Sequence, residues 1–192
     1  MVLSKDEATR ALNEIDMARA RVVAMQRYRD AAPYFVLWGC IWLVANCVAD
    51  VRLHLGGLAW NILTVAGVVG SVSLRVHATR RCSTSPESRD ASIRRGWQFG
   101  VTWLAILGYF IASFSLLPHL DFKQSNAYIS LFWAFLYVLL GIWTGWRICA
   151  VGIAAAAATL IGYFALTAHY FLWMGLVTGS LLILGGLWLR KI

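Results

Sequence analysis

Long apolar stretches alternate with short polar ones along this chain, and six of the apolar stretches run for about a helix's membrane length: residues 32–50, 55–74, 97–117, 127–146, 148–168 and 170–189. A helix needs about 20 apolar residues to cross a hydrocarbon core, where every backbone amide must be paired within its own segment. The pattern therefore predicts an all-α fold, a bundle of six transmembrane helices over residues 32–192.

Residues 1–31 read differently. Ser4-Lys5-Asp6-Glu7 has the Ser-x-x-Glu form of a capping box. Leu12, Ile15, Ala18, Val22 and Met25 then recur at three- and four-residue spacing, which predicts an amphipathic cytoplasmic or interfacial helix. Its apolar stripe has three candidate uses: lying on the inner leaflet, packing beneath the bundle, or capturing a cytoplasmic protein partner through residues 4–30. Pro33 suits the first turn of the first span. No small-residue cleavage site follows that span, so a removable signal peptide is not expected.

Composition agrees with a lipid solvent. The chain is 60% apolar and 14% charged, against about a quarter charged in soluble domains. The net charge of +8 would suit nucleic acid, but the basic residues sit between the apolar runs. Counted on alternate sides of the six spans, 15 of the 17 Lys and Arg fall on one side, leaving only Arg52 and Lys123 on the other. Cytoplasmic loops retain positive charge, so both termini are expected in the cytoplasm of a bacterial cell and no nucleic-acid partner is needed. Fourteen Arg to three Lys suggests a GC-rich source. The segment 75–95, with Ser83-Thr84-Ser85-Pro86-Glu87-Ser88 between basic clusters, reads as a solvated mobile loop. Arg80-Arg81-Cys82-Ser83 within it has the look of a phosphorylation or lipidation context.

The spans divide into three hairpins, and some internal similarity follows that division. Gly108-Tyr109-Phe110 recurs as Gly162-Tyr163-Phe164, each before an outer-side His. His54 to Arg75 and His169 to Arg190 are both 21 residues, against 28 from His119 to Arg147. The segments Leu107-Gly108-Tyr109-Phe110 to Pro118, Gly141-Ile142-Trp143-Thr144-Gly145-Trp146-Arg147 and Gly185-Gly186-Leu187-Trp188-Leu189-Arg190 resemble the HdeD-type family of bacterial membrane proteins. That resemblance implies three tandem two-helix units in an inner-membrane protein linked to acid or envelope stress. It brings no catalytic residues.

Small residues let helices approach closely where burial itself gives no driving force. Gly67-x-x-x-Ser71, Gly141-x-x-x-Gly145 and Gly175-x-x-x-Gly179 are the candidate packing faces, with a homo-oligomer contact as the alternative use. The alanines of residues 154–158 make the fifth span slim, which marks it as the central one. Trp60, Trp97, Trp146, Trp173 and Trp188 lie near span ends, as interfacial anchors do.

Candidate chemistry gathers on the outer side. His54, His119 and His169, one per hairpin, lie there with Asp50 and Asp121. Imidazoles and a carboxylate could hold zinc, copper, iron or a haem, although no close motif links them; water-bound interfacial histidines are the plainer reading. Asn46, Asp50, Asn61 and Thr64 form a candidate polar pathway, since an intramembrane carboxylate suggests function. The plainer reading makes Asp50 a helix end paired with an arginine. Cys40, Cys47, Cys82 and Cys149 have no paired CxxC spacing, so neither disulfide framework nor zinc knuckle is indicated. Gly179-Ser180 and His169 stand about 16 Å apart along one helix, too far for proton transfer. No nucleotide-binding motif occurs and no cofactor is required. The expected function is a non-enzymatic inner-membrane protein, stress-linked, accessory, or handling a small solute or proton. The alternatives are a metal- or haem-dependent redox or hydrolytic enzyme and a membrane anchor for a cytoplasmic partner.

Overall fold

The computed structural model describes residues 5–82, 86–117 and 119–191. Among them the chain is helical throughout, with no strand: α1 (Lys5–Val51), α2 (Leu53–Cys82), α3 (Pro86–Leu116), α4 (Phe122–Thr144), α5 (Trp146–Ala165), α6 (Tyr170–Trp173), a π-helical turn (Met174–Gly179) and α7 (Ser180–Arg190). The last three form one unbroken rod. Among the described residues, five helical stretches are long and apolar enough to cross a membrane: Met25–Val51, Leu53–Ala78, Phe122–Thr144, Trp146–Ala165 and Tyr170–Arg190. The remaining expected span corresponds to a shorter apolar stretch, Gly100–Leu116 of α3.

The central helix is α1, not the alanine-rich α5. It packs on α2, on the π turn and on α7, while α5 packs chiefly on α4. Backbone proximity explains the difference, because glycines of the neighbours meet α1 directly. Gly175 and Gly179 lie on Leu43, Gly186 on the carbonyl of Ala32 and Gly67 on Trp38 and Ile41. On one flank α5 comes close to α4 through glycines: Gly152 faces the Ala134 carbonyl and Gly141 faces the backbone of Cys149. The closest pairings, α4 with α5 and α1 with the last rod, cross the boundaries of the three expected hairpins.

Three local expectations are corrected. Pro33 stands inside α1 rather than in a first turn, because the helix that starts at Lys5 runs on without interruption. The side chains of Ile15, Val22 and Met25 are exposed along that extension, so the stripe does not pack beneath the bundle. The mobile loop is mostly helix: α2 continues to Cys82, and Pro86, with Glu87 after it, opens α3, as a proline and an acidic residue suit a first turn. Ser4, Ser83, Thr84, Ser85 and Pro118 lie outside the described residues. So do the side chains of Leu12 and of the Arg80-Arg81-Cys82 cluster.

The contacts define two ends. Tyr28 meets Gly145 and Ala32 meets Gly186 at one, which gathers Arg29, Arg147 and Arg190. Gly56 meets Phe122 and Asp50 meets Leu172 at the other, near His54, Asp121 and His169. The main core lies between them around Phe35, Trp42, Ile148, Val151 and Leu182. Aromatic contacts hold α3 on α4, with Tyr109 stacked on Phe132 at 4.7 Å and Phe110 edge-on to the same ring at 4.9 Å.

Candidate functional site

The face of α1 that carries Trp38 and Trp42 is flanked by α2 and by α4, and the space between these walls holds two cavities that share Trp42. Their geometry starts from Gly56, where α2 comes close enough to touch the Phe122 ring of α4. On the basic side of that contact lies a cavity of about 260 Å³, bounded by Trp42, Trp60, Asn61, Thr64 and Asn126. Further on lies a second, of about 240 Å³, walled by Trp38, Phe35, Trp133 and Tyr137, with Ser71, Ser130 and Thr178 on its surface.

The second cavity is almost wholly apolar in its lining, and its Ser and Thr hydroxyls are used within the protein. Ser71 Oγ accepts from Trp38 Nε1 at 3.2 Å, Ser130 Oγ donates to the Asn126 carbonyl at 2.7 Å, and Thr178 Oγ1 donates to Met174 Sδ at 3.6 Å. The tryptophan between the cavities is the exception. Trp42 is 5% exposed and meets Trp60 edge to face at 4.8 Å, and neither indole N–H has a hydrogen-bond partner among the described residues. An indole nitrogen can only donate. Leaving such a donor buried and unpaired costs about 1–3 kcal/mol, so each orphan calls for an explanation.

A satisfied polar network backs the first cavity. Fully buried Asn46 donates to the Trp42 carbonyl at 2.8 Å, and its Oδ1 accepts from Asn126 Nδ2 at 3.1 Å. The Asn126 Oδ1 in turn accepts from the Tyr170 hydroxyl at 3.0 Å, so α1, α4 and α6 are joined through two amides and a phenol. Lys123 lies over the Tyr163 and Tyr170 rings at 4.8 and 5.2 Å and donates to the Tyr163 carbonyl.

Of the four expected pathway residues, Asn61 and Thr64 line the first cavity, and Asn46 reaches it through Asn126. Asp50 does not join them. Its Oδ1 accepts the Leu172 amide at 3.1 Å, one of the unpaired donors in the first turn of α6. It pairs with a helix terminus rather than with an arginine. The three histidines are exposed at separate helix ends, and among the described residues no group of three or more His, Cys, Asp or Glu is placed to hold a metal ion. The tri-histidine centre is therefore not assembled. Cys40, Cys47 and Cys149 are free thiols.

The tryptophans expected as anchors divide. Trp97, Trp146 and Trp188 are exposed, but Trp60 turns towards Trp42, and Trp173 donates to the Ala158 carbonyl at 2.8 Å. Sequence reasoning missed Asn126, which falls one residue before the expected fourth span, although Asn126 and Ser130 already mark one polar face at four-residue spacing. It also missed Trp42, for which periodicity gives no signal beyond core. Comparison with known protein families, with curated proteins and with solved structures finds no match to this chain.

Proposed function

We propose that the protein is a multi-pass protein of the bacterial inner membrane, with both termini in the cytoplasm, that binds a membrane-soluble molecule in the cleft between α2 and α4. The ligand is apolar over most of its length and carries one hydrogen-bond acceptor, such as an ester or ketone carbonyl. The unpartnered indole N–H of Trp42, buried between two cavities with aromatic walls, carries this reading. Ligand sites are commonly mostly apolar with a few placed polar groups, and an acceptor at Trp42 or Trp60 would recover a hydrogen bond that the protein alone leaves unmade.

Six crossings are part of the same proposal. What supports the sixth is connectivity: α2 ends on the basic side and α4 begins on the histidine side, so α3 has to run the length of the bundle between them. The 15-to-2 distribution of basic residues supports the orientation.

The test compares a fatty-acid methyl ester with the alkane of equal length, each scored by mass spectrometry as retained by delipidated protein in detergent. Trp42→Phe keeps an aromatic ring, though a smaller one, and removes the donor. It should weaken ester retention about 5–10-fold, the worth of one hydrogen bond of roughly 1–1.5 kcal/mol, and leave alkane retention unchanged. Equal loss of both ligands, or loss of neither, defeats the reading.

A stress-linked role, or passage of a small solute or proton, is the second reading, and the buried Asn46–Asn126–Tyr170 chain beside Asn61 and Thr64 favours it. Asn126→Leu should then alter solute flux or acid survival in cells at unchanged protein level. Unaltered flux and survival would remove it.

A further inference from the structure

On the far side of α1 from the tryptophan cleft, α1, α2 and α7 border a larger, open cavity at the basic end, of about 1110 Å³. Drug-sized ligand pockets run to about 300–1,000 Å³, so this space suits a longer occupant. Its walls are apolar, with Leu37, Leu74 and Leu187 among them, whereas Arg29, His77 and Arg190 contribute from three different helices. Among the described residues, no carboxylate lines it.

The neighbouring cations are engaged differently. Arg27 donates to the Trp143 carbonyl, and Arg147 lies over the Trp188 ring at 4.8 Å with Tyr28 and Trp146 close by. Arg29 and Arg190 instead border the cavity. Pro33 adds to its polarity, because a proline supplies no amide to the carbonyl four residues back, here that of Arg29, and Pro33 itself lines the space. Glycines thin two of the walls: Gly70 lies on Leu37, and Gly186 lies on Ala32 and Val36. Basic pockets between helices near the cytoplasmic surface fit anionic head groups, while their apolar depth fits an acyl chain.

We infer that this cavity seats one anionic phospholipid, its phosphate between Arg29 and Arg190 and an acyl chain along Leu37, Leu74 and Leu187. The site is separate from the tryptophan cleft and rests only on the proposal that the chain spans a membrane with this end at the surface.

The intact, delipidated chain is titrated in detergent with phosphatidylglycerol and with phosphatidylcholine of the same acyl chains, and bound lipid is counted by native mass spectrometry. Phosphatidylglycerol should be retained preferentially. The double variant Arg29→Gln/Arg190→Gln should lose that preference by about 10–30-fold, as expected when two surface cations are removed, while Arg52→Gln at the opposite end keeps it. Ala78→Trp, at an exposed position lining the cavity, should obstruct either lipid and decides the matter if the double variant does not fold. Equal retention of the two lipids, or unchanged retention in the variants, overturns the inference. So does displacement of phosphatidylglycerol by inorganic phosphate, which would make the site one for a free anion. Alkaline carbonate extraction of membranes scores the spanning proposal separately, because a chain that spans stays in the pellet whether or not this lipid is held.

Discussion

Asn126 concentrates more interactions than any other polar residue of the core, since its amide meets Asn46 from α1 and Tyr170 from α6 while its carbonyl accepts from Ser130. Truncating it leaves the amide oxygen of Asn46 and the phenol of Tyr170 without their partner. Asn126→Ala should therefore cost about 1–3 kcal/mol, measured by unfolding in mixed micelles. Tyr170→Phe removes a single donor and should cost less. Coupling between the Asn46→Ala and Asn126→Ala changes should be near 0.6 kcal/mol or more, the average for such pairs between membrane helices; zero coupling would deny the hydrogen bond its role. Gly145 presents a different kind of constraint. Its φ of +140° is the one positive value among the described residues, and a Cβ there would land on the Tyr28 hydroxyl. Gly145→Ala should destabilise by about 1–3 kcal/mol from backbone strain alone, plus the displacement of Tyr28. Adding Tyr28→Phe should recover a share of the second part and none of the first, because the ring Cζ still lies 2.6 Å from the added Cβ. Residues of this kind were only partly legible. Gly145 stood out in a Gly-x-x-x-Gly pair, but its use as the single-residue link between α4 and α5 depends on where Tyr28 comes to lie. The orphan state of Trp42 is a property of its neighbours, and no residue-by-residue pattern carries it.

Helices were more legible than their ends. An apolar run of about 20 residues fixes a helix, so α2, α4, α5 and the final rod fall where hydropathy places them. Polar flanks carry a weaker signal. The first span and the amphipathic segment proved to be one helix, Lys5–Val51, because the proline between them costs an exposed helix one hydrogen bond while interruption would expose many more. At 47 residues α1 is about 70 Å long, and its apolar stretch Met25–Val51 accounts for little more than half. The described side chains at 14–18 and at 22 are exposed, so the bundle draws little from them. Deleting residues 1–20 should leave the midpoint of thermal unfolding within about 2 °C of the full chain. A larger drop would mean that the extension packs on something. The π turn was invisible to periodicity for a related reason: one extra residue per turn at Met174–Gly179 sets Gly175 and Gly179 on α1 and Thr178 on the cleft, an arrangement selected by the facing helix rather than by local propensity.

At the scale of the molecule, charge and connectivity bear on one question, the number of crossings. Hydropathy of the helices alone identifies five long enough, and an odd number would put the two chain ends on opposite sides of a bilayer. The packing argues for an even number, because Arg29 and Arg190 border one cavity and α3 is held along α4 by Tyr109, Phe110 and Phe114 against Tyr128 and Phe132. The polar face of this pairing is short but specific: Tyr109 and Tyr128 share a hydrogen bond of 2.6 Å, and Tyr128 also donates to Ser113 at 3.1 Å. Cysteine labelling discriminates the two counts. In a chain with its four native cysteines replaced, single cysteines at Ser83 and at Lys191 should both resist a membrane-impermeant maleimide applied outside the cell, whereas one at His119 should react. Like outcomes at Ser83 and His119, both reacting or both protected, would show that α3 does not cross. The 15-to-2 charge count and the phospholipid seat at the basic end would then lose their common footing, since Arg29 and Arg190 could no longer be assigned to the leaflet where anionic head groups meet positive side chains.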